Sequence, residues 1–332
     1  MEKIILLQGI QRLVSLRLEK KLLDDNKQYN LFKTGNFQSG EISNDSFWNA
    51  SLKDKSVLID LSQLRWVEIG AALQLVLLIE SVLKHGIQIE IALPNTKFRE
   101  DEISFVEKDN QNEQLSIYIL KARIQARSYL QAIGFINTAK CEHLETNSVK
   151  FIEDYDFKSA KKIETTYYLE NSPIINGARN KLSKAENPLD ERMVILPLRW
   201  INATEEDDID KTGILLKEHL PRIIGQNHID FYLGLAQVDA RAISNVILYE
   251  LRKNIEEHSK THYGIIGAAL QSNALTKIDK DYIDCEKGFY KWAEQNYHNY
   301  IAIYVGDGGK GLFNTLKQSY CYRQHRRVKN IL

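Results

Sequence analysis

The segment Ser56–Pro94, SVLIDLSQLRWVEIGAALQLVLLIESVLKHGIQIEIALP, decides how this chain folds. Val57–Leu61 is a short β-branched and aliphatic run, the composition of a buried strand. From Ala71 to Lys84, the residues Leu73, Val76, Leu77 and Ile79, with Leu83 beyond, recur at helical spacing. Gly86 stands where a helix ends in the left-handed conformation. Ile87–Leu93 reads as a second strand, closed by Pro94. A strand, a helix and a strand of these lengths form a right-handed crossover, and that requires a parallel pair. The segment is therefore the centre of an α/β module.

Working outward, a further helix is expected over Ala122–Ile133, ending at Gly134-Phe135. The N-terminal residues to Ala50 mix strand-like and helix-like fragments in no legible order. Asn171–Glu191, NSPIINGARNKLSKAENPLDE, collects Ser, Pro, Gly, Asn and charge, the composition of a linker. These features divide the chain into a domain over 1–170, a linker over 171–191 and a second module over 192–332. In the second module, VILPLRWI reads as a strand and GILLKEHLPRII as a helix kinked at Pro221. A long helix is expected from Asp239 to His258, with Ile243, Ile247, Leu251 and Ile255 on its core face. Tyr263–Leu270 and Tyr300–Val305 read as strands, and the second runs into Asp307-Gly308-Gly309-Lys310-Gly311.

Composition removes several classes of function. Lys plus Arg and Asp plus Glu balance at 44 each, so no net field draws the chain to nucleic acid or to an acidic membrane. The longest apolar run, Ile69–Ile79, is too short to span a bilayer. Met1–Arg12 carries an acid at position 2 and makes a poor secretory signal. Cys141, Cys285 and Cys321 are odd in number and far apart, which suggests free thiols and a cytoplasmic location.

The chemistry gathers in ELRKNIEEHSKTH, Glu250–His262. Glu250, Asn254 and His258 are spaced by four and form one polar stripe, about 100° round from the apolar one. That places a carboxylate and a carboxamide at the edge of the buried face, with Arg252, Lys253 and Glu256 better suited to the solvated side. A solvent-facing helix end is the plainer alternative. His258 is better explained by the helix dipole than as a ligand, and it aligns with His262 for zinc only if the helix continues. The three glycines of DGGKG allow close backbone approach, although a tight turn explains them equally well. The loop has neither P-loop nor dinucleotide-fingerprint spacing.

Taken in order, ExxxN at the end of a long helix, a strand, and DxGxG after another strand resemble the GHKL nucleotide-binding superfamily, especially its bacterial sensor-kinase and anti-sigma-factor kinase members. The resemblance covers Met193 to the end and implies an α/β sandwich that binds ATP and magnesium. It gives Asn254 the magnesium and Glu250 the orientation or deprotonation of water or a protein hydroxyl. Asp307 would accept from the adenine amino group, and Gly309 and Gly311 would fold the loop against the base. The family continues with a lid and a second glycine motif at a helix N-terminus. No such motif follows Gly311, so the module is expected to be incomplete at its C-terminus, and turnover is in question.

The first module resembles the STAS domain of anti-sigma-factor antagonists, through the strand ending IDL and the helix that follows. In that family a serine at the start of the helix is phosphorylated. The aligned position here is at or beside Gly70, and Trp66–Ala72 contains no Ser or Thr. A generic parallel α/β unit is the alternative. STAS-like joined to GHKL-like implies a bacterial ATP-binding regulatory protein whose nucleotide controls contact with a partner, of STAS or sigma-factor type. A serine/threonine kinase acting on a STAS partner and a nucleotide-free scaffold are the alternatives, and a homodimer is left open.

Overall fold

The computed structural model describes residues 3–31, 55–108, 112–144, 149–185, 194–215, 246, 248–250, 252–255, 262–272 and 299–307. It is a mixed α/β fold containing a parallel sheet. The N-terminal part runs β1 (Lys3–Leu6), β2 (Arg12–Leu13), α1 (Ser15–Tyr29), β3 (Ser56–Asp60), β4 (Trp66–Val67), α2 (Ile69–Lys84) and β5 (Gln88–Ala92). It continues with α3 (Glu100–Lys108), α4 (Asn112–Ala132), α5 (Phe135–Thr138), β6 (Lys150–Ile152), β7 (Tyr155–Asp156) and β8 (Lys161–Lys162). A 3-10 turn over Tyr168–Asn171 leads to α6 (Pro173–Lys184), and the remaining strands are β9 (Val194–Asn202), β10 (Tyr263–Ser272) and β11 (Asn299–Asp307).

The strand–helix–strand expectation for Ser56–Pro94 is met, since β3 and β5 pair in parallel with Val57 opposite Ile89 and Ile59 opposite Ile91. The sheet order is β1-β3-β5-β6, all parallel. Each crossover steps to the next strand in the same direction, so right-handed connections place the helices on one face. Strand alternation agrees: Ile4, Leu6, Val57, Ile59, Ile89 and Ile91 point into the core with α1 and α2. Ile5, Leu58, Ala92 and Ile152 point the other way, under Tyr155 and Phe157.

The described part of Asn171–Glu191, residues 171–185, departs from its reading as a linker. Residues 173–184 form α6, which starts where the Ser172 hydroxyl accepts from the Ile175 N–H and Pro173 fills the first helical position. Ile175 and Ala178 are buried against Phe98, Val106, Leu120 and Ile124. Glu170, fully buried, accepts from the Phe98 N–H at 3.1 Å and from Arg179 at 3.0 Å, and so ties the turn before α6 to the first domain.

The antiparallel sheet, ordered β11-β10-β9, shares a core with the first module. One face of it carries Leu198, Ile265, Ala269 and Tyr304, all packed with α2. Apolar residues on every side of α2 follow from this, because the helix lies between two sheets. Its buried residues run from Ile69 to Leu83 with only Gln74 and Leu77 less covered. Gly134, at φ +75°, closes the junction: an added Cβ would stand 2.8 Å from the Leu198 carbonyl oxygen. The Leu198 N–H donates to the Ile133 carbonyl, and the Thr138 hydroxyl donates to that of Leu198. Among the described residues no helix is long and apolar enough to cross a membrane.

Candidate functional site

Strand register decides what surrounds Asp307. Asp307 pairs with Gly264, Val305 with Ile266 and Ile303 with Ala268. Directly opposed residues of an antiparallel pair share a face, so these six side-chain positions lie on one side of the sheet. Gly306 and Tyr304 lie on the other, where an added Cβ on Gly306 would meet Leu73 and Leu77 of α2. The first of these faces is the one covered by the helical residues around 250. Leu248 and Ile255 are buried with Leu196, Ile201, Ile266 and Ala268, and Ile303 packs against them. Ile255 occupies the space a side chain at Gly264 would need. A glycine opposite Asp307 therefore lets the helix lie close to the strand beside it.

Residues 248–250 and 252–253 are α-helical, and the backbone widens to a π turn at 254–255, a geometry frequent at functional sites. Glu250 and Asn254 are both exposed. The sequence placed them at the edge of the buried face and Arg252 on the solvated side. Instead Arg252 is half-buried, with its guanidinium 3.9 Å from Glu206. The turn of the helix is set by Leu248 and Ile255, seven residues apart, and Leu248 did not belong to the four-residue stripe. Asp307 is half-buried, and Val305 on the same face is 44% exposed. Asp307 thus lies half-buried on the sheet face that Leu248 and Ile255 cover, while Glu250 and Asn254 are on the exposed part of the same helical segment. Ile243, Ile247 (its side chain included), Leu251, His258, Gly309 and Gly311 lie outside the described residues, as do Cys285 and Cys321.

Asn254 offers one exposed carboxamide oxygen, a hard donor. No group of three or more His, Cys, Asp and Glu among the described residues could hold a metal on its own. Cys141 is buried, and burial together with the Glu80 charge pushes its thiol up, away from reactivity.

Sequence reasoning missed the residues that join the modules. His143 lies against Trp200 and Tyr263, with ring centroids 4.2 and 4.5 Å away. Its Nε2 is 3.0 Å from the buried carboxylate of Glu80 on α2, which also pairs with Lys84 at 2.9 Å. These residues are distant in sequence, and no local pattern connects them. No protein-family model, curated protein or solved structure matches the chain.

Proposed function

We propose that this chain is an ATP-binding regulatory protein in which a GHKL-type site sets the surface that a STAS-like module offers to a partner. The observation that carries this reading is the register that puts Asp307 on the sheet face packed by Leu248 and Ile255. On this reading Asp307 accepts from the adenine amino group, Asn254 holds magnesium, and Glu250 orients the attacking hydroxyl or water. Bound magnesium supplies charge neutralisation of the phosphates. Gly309 and Gly311 shape the loop beyond Asp307. The partner is a regulatory protein of STAS or sigma-factor type, or a second copy of the chain.

Exposure of Glu250 favours one second reading, a serine/threonine kinase acting in trans, because a partner's hydroxyl can reach it. The chain's own Gly70 has no hydroxyl and is covered by the Tyr304 ring. Calorimetric titration with Mg-ATP and with Mg-GTP tests the main reading. It predicts saturable ATP binding, preferred over GTP, weakened about tenfold or more in Asp307→Ala and little changed in Lys253→Ala. Absence of binding to either nucleotide would leave the nucleotide-free scaffold. Phosphate transfer to a STAS partner that is lost in Glu250→Ala would establish the kinase.

A further inference from the structure

The carboxyl ends of β3 and β5 bury polar side chains whose hydrogen bonding is incomplete among the described residues. Arg123, on α4, is 0% exposed and grips Glu102 with two bonds of 2.7 and 2.9 Å. Arg99, 7% exposed, reaches Asp101 at 3.2 Å and lies over the Phe157 ring. Arg65 is half-buried in the same electrostatic neighbourhood: burial, then the charges of Arg123 and Arg99, lower its pKa, against Glu102. Gln63 touches Arg123 through its oxygen at 3.5 Å.

Side chains of this network carry buried nitrogens without a hydrogen-bond partner among the described residues. They are Nε of Arg65, Nε and Nη1 of Arg99, Nε of Arg123 and Nε2 of Gln63. An unmade buried hydrogen bond costs about 1–3 kcal/mol, and more for a charged donor. The local acids are shared: Glu102 is divided between Arg123 and Arg99, the latter at 3.6 Å, Asp101 also pairs with Lys158 at 2.9 Å, and Asp60 is desolvated. Water can satisfy single donors but supplies no negative charge. A tetrahedral oxyanion offers both charge and several acceptors in the geometry guanidinium forks prefer. Asp60 Oδ2 and Asn95 Oδ1, buried and likewise without partners, would take its hydroxyl protons. The carboxyl ends of parallel strands are also where open α/β sheets place ligands.

We infer that Arg65, Arg99, Arg123 and Gln63 form a binding site for a small phosphate-bearing anion, either inorganic phosphate or a phosphomonoester. The site stands apart from the nucleotide reading and shares no residue with it.

The test is calorimetric titration of the full chain with inorganic phosphate and with glycerol phosphate, against sodium chloride at equal ionic strength. Saturable binding of at least one phosphate compound is expected, and the tighter of the two identifies the source. Arg65→Gln, chosen because this arginine is only half-buried, should weaken binding about tenfold or more. Asn254→Ala and Lys140→Ala should leave it unchanged. A crystal grown with the tighter compound should show tetrahedral density at the guanidiniums. The inference is overturned if neither compound saturates, if Arg65→Gln binds as well as the parent, if Asn254→Ala alone abolishes binding, or if ordered water alone fills the site.

Discussion

A methyl group at Gly70 would fall 2.5 Å from the Tyr304 ring, so a single hydrogen at this Cα keeps the first turn of α2 in contact with β11. Gly70→Ser should lower stability by about 1–3 kcal/mol through overpacking. Urea unfolding measures this, and Tyr304→Ala in the same chain should remove most of the added cost. Asp60 gives a prediction in pH. Burial raises its carboxyl above the ordinary value, with the Ser62 bonds and the Arg99 charge acting in opposition. The folded state therefore keeps this proton to higher pH than the unfolded one. The stability it contributes is complete below the unfolded value, about 3.9, and is lost as pH rises through the raised folded value. Asp60→Asn retains an acceptor for the Ser62 N–H and removes that loss. Its melting temperature relative to the parent should climb between about pH 4 and pH 7 in phosphate-free buffer. A difference that stays constant with pH would contradict the assignment.

At the scale of elements, α6 shows what composition hides. Asn, Gly, Ser and Pro gave residues 171–191 the look of a linker, yet Ser172 and Pro173 are a helix start, and Ile175, Ala178 and Leu182 fall on one face. Loss of the cap in Ser172→Ala should cost about 1 kcal/mol. Ile175→Ala, which empties a fully buried position between α6 and α4, should cost about 2–5 kcal/mol. Equilibrium denaturation distinguishes the two, and a cost near zero for Ile175→Ala would show that α6 is not part of the folded core. The elements from β3 to β5 were legible because period and punctuation agreed: Val57, Ile59, Ile89 and Ile91 alternate, and Gly86 ends α2 at φ +71°. The N-terminal β1 was not legible, because four residues carry too little pattern until the parallel partner β3 is in place.

For the molecule as a whole, the sequence suggested two modules and a joint, and the structure gives two sheets that share α2. Apolar residues all round α2 hinted at this, but their second partner, the face made by Leu198, Ile265, Ala269 and Tyr304, lies more than a hundred residues downstream. The sequence named Glu250, Asn254 and Asp307 as candidates, and the register puts Asp307 on the face packed by Leu248 and Ile255. The exposure of Glu250 and Asn254 was not legible, because Leu248 and Ile255 set the helix rotation by packing against strands that no periodicity reveals. On the proposed reading, the shared core would couple nucleotide to the first module, since Asp307 is on the same strand as Tyr304 and Gly306, which rest on α2. Hydrogen–deuterium exchange of the intact chain, with and without millimolar Mg-ATP, tests this most directly. The account predicts slower exchange over residues 248–255 and 299–307 and, through that contact, over α2, with β1 unaffected. Identical exchange at all three segments in the presence and absence of nucleotide would contradict it.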